Sequence, residues 1–265
     1  GLSVVAQTRN HALLFDTGPA FGTSADSGNR VIVPFLRSSG IRRLDALVLS
    51  HDDIDHTGGA LSVMQAVPVV AMLSSLPDLD PMLLIGPEER HCAAGQAWRW
   101  DGVLFEMLYP DPASRVARGL KDNERSSVLK ITTDAGSVRI PADIERHGER
   151  TLLTTAAGQL QSDVLIVPHQ GSRTSSSEAF VRAVGPRTVI FPVGYRNAFR
   201  HPHPEVVERY RQMGSAAHFT DRHGAIMLQF GDQGIKVTRQ REIRRRYWLD
   251  PPEPGAGSDD SLLFW

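Results

Sequence analysis

The sequence has one cysteine, Cys92, in 265 residues. That excludes an intrachain disulfide framework and any cysteine-rich zinc module, and it leaves the redox compartment open. No apolar run is long enough to cross a bilayer. The most apolar stretch, 67–85, is broken by Pro68, Pro77 and Pro81 and by Asp78 and Asp80. A spanning helix of about 20 apolar residues cannot form there. The first residues lack the basic start and long apolar core of a secretory leader, and no lipid anchor is evident. Leu2, Val4 and Val5 instead read as the middle of a strand, so the chain reads as a fragment of something longer. Its lack of a membrane segment then says little about where the parent protein resides. Excess charge is also missing: 29 Lys and Arg face 30 Asp and Glu, for a formal net charge of −1. Bulk attraction cannot be the whole basis for holding nucleic acid, although a local basic patch remains open. Repeats and low-complexity blocks are absent before the tail. What is present is ordinary for a globular chain, 41% hydrophobic and 22% charged, and suffices for one large layered domain or two small ones.

Along the chain, residues 12–15 (ALLF) form a short apolar run stopped by Asp16-Thr17-Gly18. Residues 31–36 predict a helix that Gly40 ends. The run 45–50 (DALVLS) predicts a buried strand, 59–67 a helix, and 69–72 and 82–85 short strands. Residues 98–108 alternate as a hairpin about Asp101-Gly102. Two further strands are expected at 127–133 and 137–140, then others at 163–167 and 188–193. A helix over 204–213 and a closing hairpin of 224–230 with 235–238 complete the pattern. Strands that outnumber helices, with helices following several of them, predict an α/β fold, two sheets covered by helices in a four-layer αββα sandwich. Order is expected to fade from Gly231. Residues 1–240 are read as the domain. Residues 241–265 are read as a tail, basic at first and then rich in Pro and Gly, and 251–260 (PPEPGAGSDD) cannot bury a core.

The chemical signal is Ser50-His51-Asp52-Asp53-Ile54-Asp55-His56-Thr57-Gly58-Gly59. Two imidazoles and three carboxylates fall within six positions directly after a buried strand. Those are side chains that bind divalent metals. Crowding them into one loop costs repulsion or unpaired polar groups unless a cation lies among them. The two glycines are expected to let the backbone turn tightly into the next helix. The bland alternative is a solvated acidic loop that caps that helix.

This loop resembles the H-x-H-x-D-H motif of the metallo-β-lactamase superfamily, with Asp53 where the second histidine usually stands. More narrowly, the chain resembles the metallo-β-lactamase-like C-terminal domain of the ComEC family of DNA-uptake (competence) channel proteins. The matching stretches are LLFDTGP (13–19), VIVPFLRSSGIRRLDALVLSHDDIDHTGGA (31–60), CAAGQAWRWDGVLFEML (92–108), NERSSVLKI (123–131), ADIE (142–145), SDVLIVPHQGSRTSSS (162–177) and GYRNAFRHPHPEV (194–206). The resemblance runs from residue 1 to about 230. It implies the four-layer αββα fold, a two-metal hydrolytic centre, and a parent protein with a transmembrane channel in the inner membrane. It also implies a role in degrading one strand of incoming DNA, with the domain on the exterior or periplasmic side.

Carried over by position, the resemblance makes His51 and Asp53 ligands of one metal and Asp55 and His56 ligands of the other. It makes Asp143 the bridging aspartate and His169 a later ligand. Asp16 takes the role of the aspartate that holds the metal loop from behind, and Asn123 or Ser127 could sit near the metal. Three departures stand out. Pro141-Ala142-Asp143 replaces the usual Thr-Gly-Asp, His169-Gln170-Gly171-Ser172 replaces His-His-Gly-Ser, and the isolated histidine before the bridging aspartate has no counterpart. An oxygen-rich ligand set suits manganese first and zinc second. Two such cations would acidify water from a pKa of about 15.7 toward 7 for attack on phosphorus.

Weaker signals surround this core. Ser172, Arg173 and Thr174 could grip a phosphate ahead of a helix N-terminus, or form a polar loop with a capping serine. His201 and His203, around Pro202, could ligate the second metal or protonate a leaving group, or simply pack at a helix entry. Tyr195, Arg196 and Asn197 could line a substrate groove. Arg239, Arg241 and Arg244 to Arg246, beside Tyr247 and Trp248, could contact DNA or be a solvated face. His11, His91, His147, His218 and His223 read as surface or packing residues, and Cys92 as a small core residue. The sequence therefore points to a DNA phosphodiesterase. Two rivals remain: a catalytically impaired DNA-guiding or channel-docking module, and a hydrolase of small esters or lactones.

Overall fold

The computed structural model describes residues 1–243. The chain begins with β1 (Val4–Gln7) and β2 (Ala12–Phe15), an antiparallel pair. β3 (Ala46–Leu49), β4 (Met72–Ser74) and β5 (Glu89–His91) add in parallel, so the five-stranded sheet has its strands in chain order. Its connections carry α1 (Val33–Ser38), α2 (Ile54–Thr57), α3 (Ala60–Ala66) and α4 (Met82–Ile85). A seven-stranded sheet follows. β6 (Ala97–Trp100), β7 (Val103–Tyr109), β8 (Val128–Thr133) and β9 (Gly136–Ile140) form an antiparallel meander, with α5 (Pro112–Val116) between β7 and β8. β10 (Val164–Ile166), β11 (Thr188–Phe191) and β12 (Ala216–Phe219) extend it in parallel through α6 (Arg146–Thr155), α7 (Glu178–Val184) and α8 (Pro204–Gln212). After α9 (Thr220–His223), β13 (Ile226–Gly231) and β14 (Gly234–Arg239) make a hairpin that leads into α10 (Gln240–Ile243).

The layering follows from the two-residue period of the strands. Leu13, Phe15, Ala46 and Val48 point between the sheets and meet Phe105, Met107, Leu129 and Ile131. Their alternates Leu14, Leu47 and Leu49 point the other way, onto Val33 and Leu36 of α1 and Ala60 and Val63 of α3. On the far side Leu165, Val189 and Phe191 pack against Leu152 of α6, Phe180 and Val184 of α7, and Val206 and Tyr210 of α8. Both sheets are therefore covered on both faces, which is why β2, β3 and β10 are apolar throughout. The result is the expected helix–sheet–sheet–helix sandwich. Helices of six to ten residues are marginal alone, since isolated ones need about 12–15 residues. The sheets hold them.

The expected hairpin at Asp101-Gly102 is β6–β7, with both turn residues at positive φ, 50° and 89°. Asp101 also accepts hydrogen bonds from Thr8 Oγ1, Asn10 N and Asn10 Nδ2 at 2.6–2.8 Å, tying this turn to the β1–β2 turn. Three local expectations are corrected. Residues 82–85 form α4, not a strand: four apolar residues carry no decisive period, and Asp80 Oδ1 accepts the Met82 N–H at 2.7 Å as a local helix start. The strand expected at 69–72 begins only at Met72, and β5, the polar ERH, lies beside it. Order does not fade at Gly231, because β14 and α10 carry it to Ile243. Arg244, Arg245, Arg246, Tyr247, Trp248 and the tail to 265 lie outside the described residues. Among the described residues no helix is long and apolar enough to cross a membrane. Cys92 is buried, as expected.

The glycines after the acidic loop act differently from the sequence expectation. Gly58 and Gly59 sit at φ −57° and −94°, which any residue adopts. Gly59 is required for closeness: a Cβ there would lie 2.5 Å from Gly28 N and 2.5 Å from Thr17 O. Gly28 is its mirror, with a Cβ 2.3 Å from Gly59 O. The start of α3 is thus pressed backbone to backbone against the turn that leads into α1.

Candidate metal centre

Asp16, the acidic and imidazole groups of the 50–56 loop, Asp143 and His169 lie just past the C-terminal ends of strands, where an α/β sheet leaves its crevice, whereas His201 and His203 lie at the entry to α8. β2 ends at Asp16, β3 at the 50–56 loop, β9 at Asp143 and β10 at His169. His51, His56 and Asp143 are all buried, and one ligand atom from each falls within 4.8 Å of the others. Asp143 Oδ1 is 3.3 Å from His56 Nε2, and Asp143 Oδ2 is 3.7 Å from His169 Nε2. Asp53 Oδ2 stands 3.4 Å from His51 Nε2, and Asp55 Oδ2 stands 3.8 Å from His56 Nε2.

Hydrogen bonds behind the loop decide which way the imidazoles face. Asp16 is fully buried. It accepts Ser50 N, Ser50 Oγ and His56 Nδ1, each at 2.7 Å. In its neutral form His56 therefore carries its proton on Nδ1 and presents Nε2 as a lone pair. Ser50 has one hydroxyl proton, and Asp16 takes it. Ser50 Oγ must then accept from His51 Nδ1 at 2.9 Å, and His51 also presents a bare Nε2. Both Nε2 atoms are buried without a hydrogen-bond partner among the described residues. Two lone pairs facing carboxylates are costly unless positive charge lies between them. Burial opposes a charged His56, yet Asp143 and then Asp16 outweigh it and hold its pKa well above the ordinary value. Burial likewise pushes Asp143 up, but His56, with His51 and His169, holds it below the usual carboxylate range. The pocket calls for positive charge, which a cation supplies as well as a proton does. The donor set fits a divalent cation.

His169 is held at φ 47°, with Nδ1 3.2 Å from Glu145 Oε1 and Nε2 3.4 Å from Asn123 Nδ2. Glu145 also accepts Thr174 Oγ1 at 2.7 Å and pairs with Lys121 at 3.2 Å. Sequence reading passed over Glu145, although it ends the ADIE stretch. Ser127 lies behind the loop: its N–H donates to Ser50 O at 3.0 Å and its hydroxyl meets Ser75 at 2.8 Å. Ser172 Oγ meets Thr174 Oγ1 at 2.9 Å, so these hydroxyls face one another and Glu145. Arg173 Nε donates to His203 Nδ1 at 3.0 Å. The His201 ring stands edge-on to His169 at 5.9 Å. Tyr195 is exposed, and Asn197 bridges its own loop, accepting His201 N at 2.8 Å and donating to His201 O at 2.7 Å. Gln170 Nε2 donates to Asp55 Oδ2 at 2.9 Å. Ala142 adopts φ 46°, the left-handed region that favours glycine.

Glu149, on α6, is a second group that sequence reading missed. It is fully buried and accepts the Ser176 and Ser177 N–H groups, the latter at 2.8 Å. It thereby anchors the loop after His169, and Ser177 caps α7. Burial raises its pKa from 4.5 to about 7. A raised carboxyl contributes stability that is complete below 4.5 and lost as pH rises through about 7. The loss amounts to about 3 kcal/mol. Urea unfolding at pH 5 and pH 8 should show Glu149→Gln losing about that much less than the parent over this interval. Identical pH slopes would refute the assignment.

The metallo-beta-lactamase superfamily model matches residues 1–194. The chain is 38% identical over 252 residues to the competence protein ComA of Neisseria gonorrhoeae, covering 95% of this chain and 34% of that protein. It is 31% identical over 242 residues to recombination protein 2 of Haemophilus influenzae, covering 91% and 29%. It thus spans about a third of the length of these relatives. Its fold is similar to that of CmlA, a diiron beta-hydroxylase from Streptomyces venezuelae (TM-score 0.54, 16% identity, 81% of this chain and 50% of that one). The chain belongs to the metallo-beta-lactamase superfamily, and within it resembles the metallo-β-lactamase-like domain of the ComEC-type competence proteins.

Proposed function

We propose that this chain is a cation-dependent phosphodiesterase that cuts DNA during natural transformation and degrades one strand of the incoming molecule. The observation that carries this is the pair of buried, unpartnered Nε2 atoms of His51 and His56 converging on Asp143. DNA as the substrate rests on the competence relatives. In this reading His51 and Asp53 would hold one cation and Asp55 and His56 the other, with Asp143 and His169 as further ligands. Divalent cations supply Lewis acidity there, lowering the pKa of water toward about 7 and offsetting charge on the phosphate. Asp16 and Ser50 keep both imidazoles in the ligating tautomer. Glu145 and Asn123 orient His169. Ser172, Arg173, Thr174, Tyr195, Asn197, His201 and His203 border the approach. Asp53 in place of an imidazole favours manganese, then zinc. The parent protein would supply a transmembrane channel in the inner membrane, with this domain on the exterior or periplasmic face.

Asp16→Asn should weaken manganese binding about 10–100-fold, the usual cost of losing a partner behind a ligand. An amide has one acceptor oxygen, so it cannot serve Ser50 and His56 as the carboxylate does. Calorimetric titration with manganese checks this, and unchanged affinity would overturn the tautomer assignment.

A second reading is favoured by Gln170, whose amide occupies Asp55 Oδ2. In that version the chain guides DNA or docks on the channel without turnover. Cleavage of single- and double-stranded DNA in manganese, zinc and magnesium, with and without chelator, separates the two. Cleavage that chelator stops supports the phosphodiesterase. Folded, manganese-binding protein that cuts neither substrate sinks it in favour of the guiding module. Turnover of an activated ester alone would make it a small-ester hydrolase.

A further inference from the structure

The two rims of the centre differ in charge and shape. On the His51 side a cavity of about 490 Å³ is lined by Asp52, Asp78, Asp111 and Asp122 together with Arg115 and Arg125. On the His169 side lies the β11–α8 connection, GYRNAFRHPH over 194–203, which has two arginines and no acid. A polyanion is repelled by the first rim and drawn to the second.

The second rim also exposes flat apolar surface. Phe199 is 78% exposed and Tyr195 57%. The Arg196 guanidinium lies over the Tyr195 ring at 5.2 Å. The Phe199 ring is nearly parallel to His201, at 17° and 5.9 Å, and His201 meets His169 at 5.9 Å. Phe199 is thus two ring contacts from a proposed metal ligand. Arg196 and Arg200, on either side of Phe199, are both held at positive φ, 52° and 55°. That conformation is costly for arginine. The Asn197 side chain bonded to His201 O and Gly194 O keeps the loop in this form. Phe199 buries little of its ring in folding, leaving most of it free for a partner. Aromatic faces interleaved with arginines are what unpaired nucleic acid uses, bases stacking on rings and phosphates pairing with guanidiniums.

We propose that residues 194–203 form a platform for single-stranded DNA, on which a base next to the bond to be cut stacks on Phe199 while Arg196 and Arg200 hold the neighbouring phosphates. The proposal rests on the phosphodiesterase reading for its substrate and names which form of DNA the site takes. A duplex keeps its bases stacked within itself and offers none to the ring.

Binding is measured by fluorescence anisotropy with a labelled twelve-nucleotide single strand and with the same sequence as a blunt duplex, both in chelator. The single strand should bind more tightly than the duplex. Phe199→Ala should weaken single-strand binding about tenfold, within the range for loss of one stacked base, with less effect on the duplex. Phe199→Trp should restore it. Equal affinity for both forms, or an alanine variant that binds the single strand as the parent does, overturns the platform. Because the binding arm needs no cation, it fails independently of hydrolysis. Platform binding without chelator-sensitive cleavage would sink the phosphodiesterase reading and leave the platform standing.

Discussion

Asp143→Ala is expected to remove cation binding and to lower hydrolysis by about a thousandfold or more. Its two carboxylate oxygens face two different histidines, His56 from the first sheet and His169 from the second. No neighbouring carboxylate holds that position: Asp53 and Asp55 are both more exposed and face one histidine each. Electrostatic stabilisation by bound metal is worth several kcal/mol, and each 1.36 kcal/mol is tenfold in rate, so losing about 4 kcal/mol gives this factor. A readout independent of turnover is available. Manganese at a hundred times its dissociation constant stabilises the folded state by about 2.7 kcal/mol. For a domain of this size that raises Tm by roughly 5–10 °C. The parent should show this rise and the variant should not. An equal rise in both would mean that the cation binds elsewhere.

Gly59→Ala is expected to cost the fold far more than a methyl group added at an open glycine. The new Cβ would meet Gly28 N and Thr17 O, both at 2.5 Å. Both are backbone atoms with no rotamer to change, so relief requires moving α3 or the turn into α1. Overpacking typically costs about 1–3 kcal/mol and more where nothing yields, so at least about 3 kcal/mol is expected. That lowers Tm by roughly 6–12 °C. Gly40→Ala is the comparison: its Cβ would meet nothing within 4 Å, and its cost comes only from a φ of +73°. A Gly59 variant no less stable than that one would refute the close-approach account.

The sequence exposed the parts of this molecule that depend on composition over several residues. DALVLS announced β3 because a strand buried on both faces must be apolar at every position. The crowded loop after it announced chemistry because five ionisable groups in six positions have no packing rationale. What stayed hidden was set by contacts distant in sequence. β5 is polar and joins the sheet through its backbone, so ERH carried no pattern. MLLI at 82–85 is as apolar as a strand, and only Asp80 and the preceding proline tip it into a helix. Glu145 and Glu149 are single carboxylates in unremarkable surroundings; their roles appear only when the 169–177 loop is folded against them. The convergence of Asp143 on His56, 87 positions away, was legible through family resemblance, since no local pattern encodes it.

The centre draws its groups from both halves of the sandwich: His51 and His56 follow β3 of one sheet, Asp143 and His169 follow β9 and β10 of the other. Between those sheets lie side-chain packing and a few hydrogen bonds from their end loops, which resist separation without fixing sliding as tightly as a ladder of hydrogen bonds does. An ion bound by both halves would act as a clasp at one end of the molecule, stiffening the relative position of two otherwise independent hydrogen-bonded units. Breathing of the sandwich would then open from the end away from the clasp, where the β1–β2 turn meets the Asp101 turn. Hydrogen exchange with and without manganese would trace this as protection gained first along the strand ends at 49–56 and 140–143.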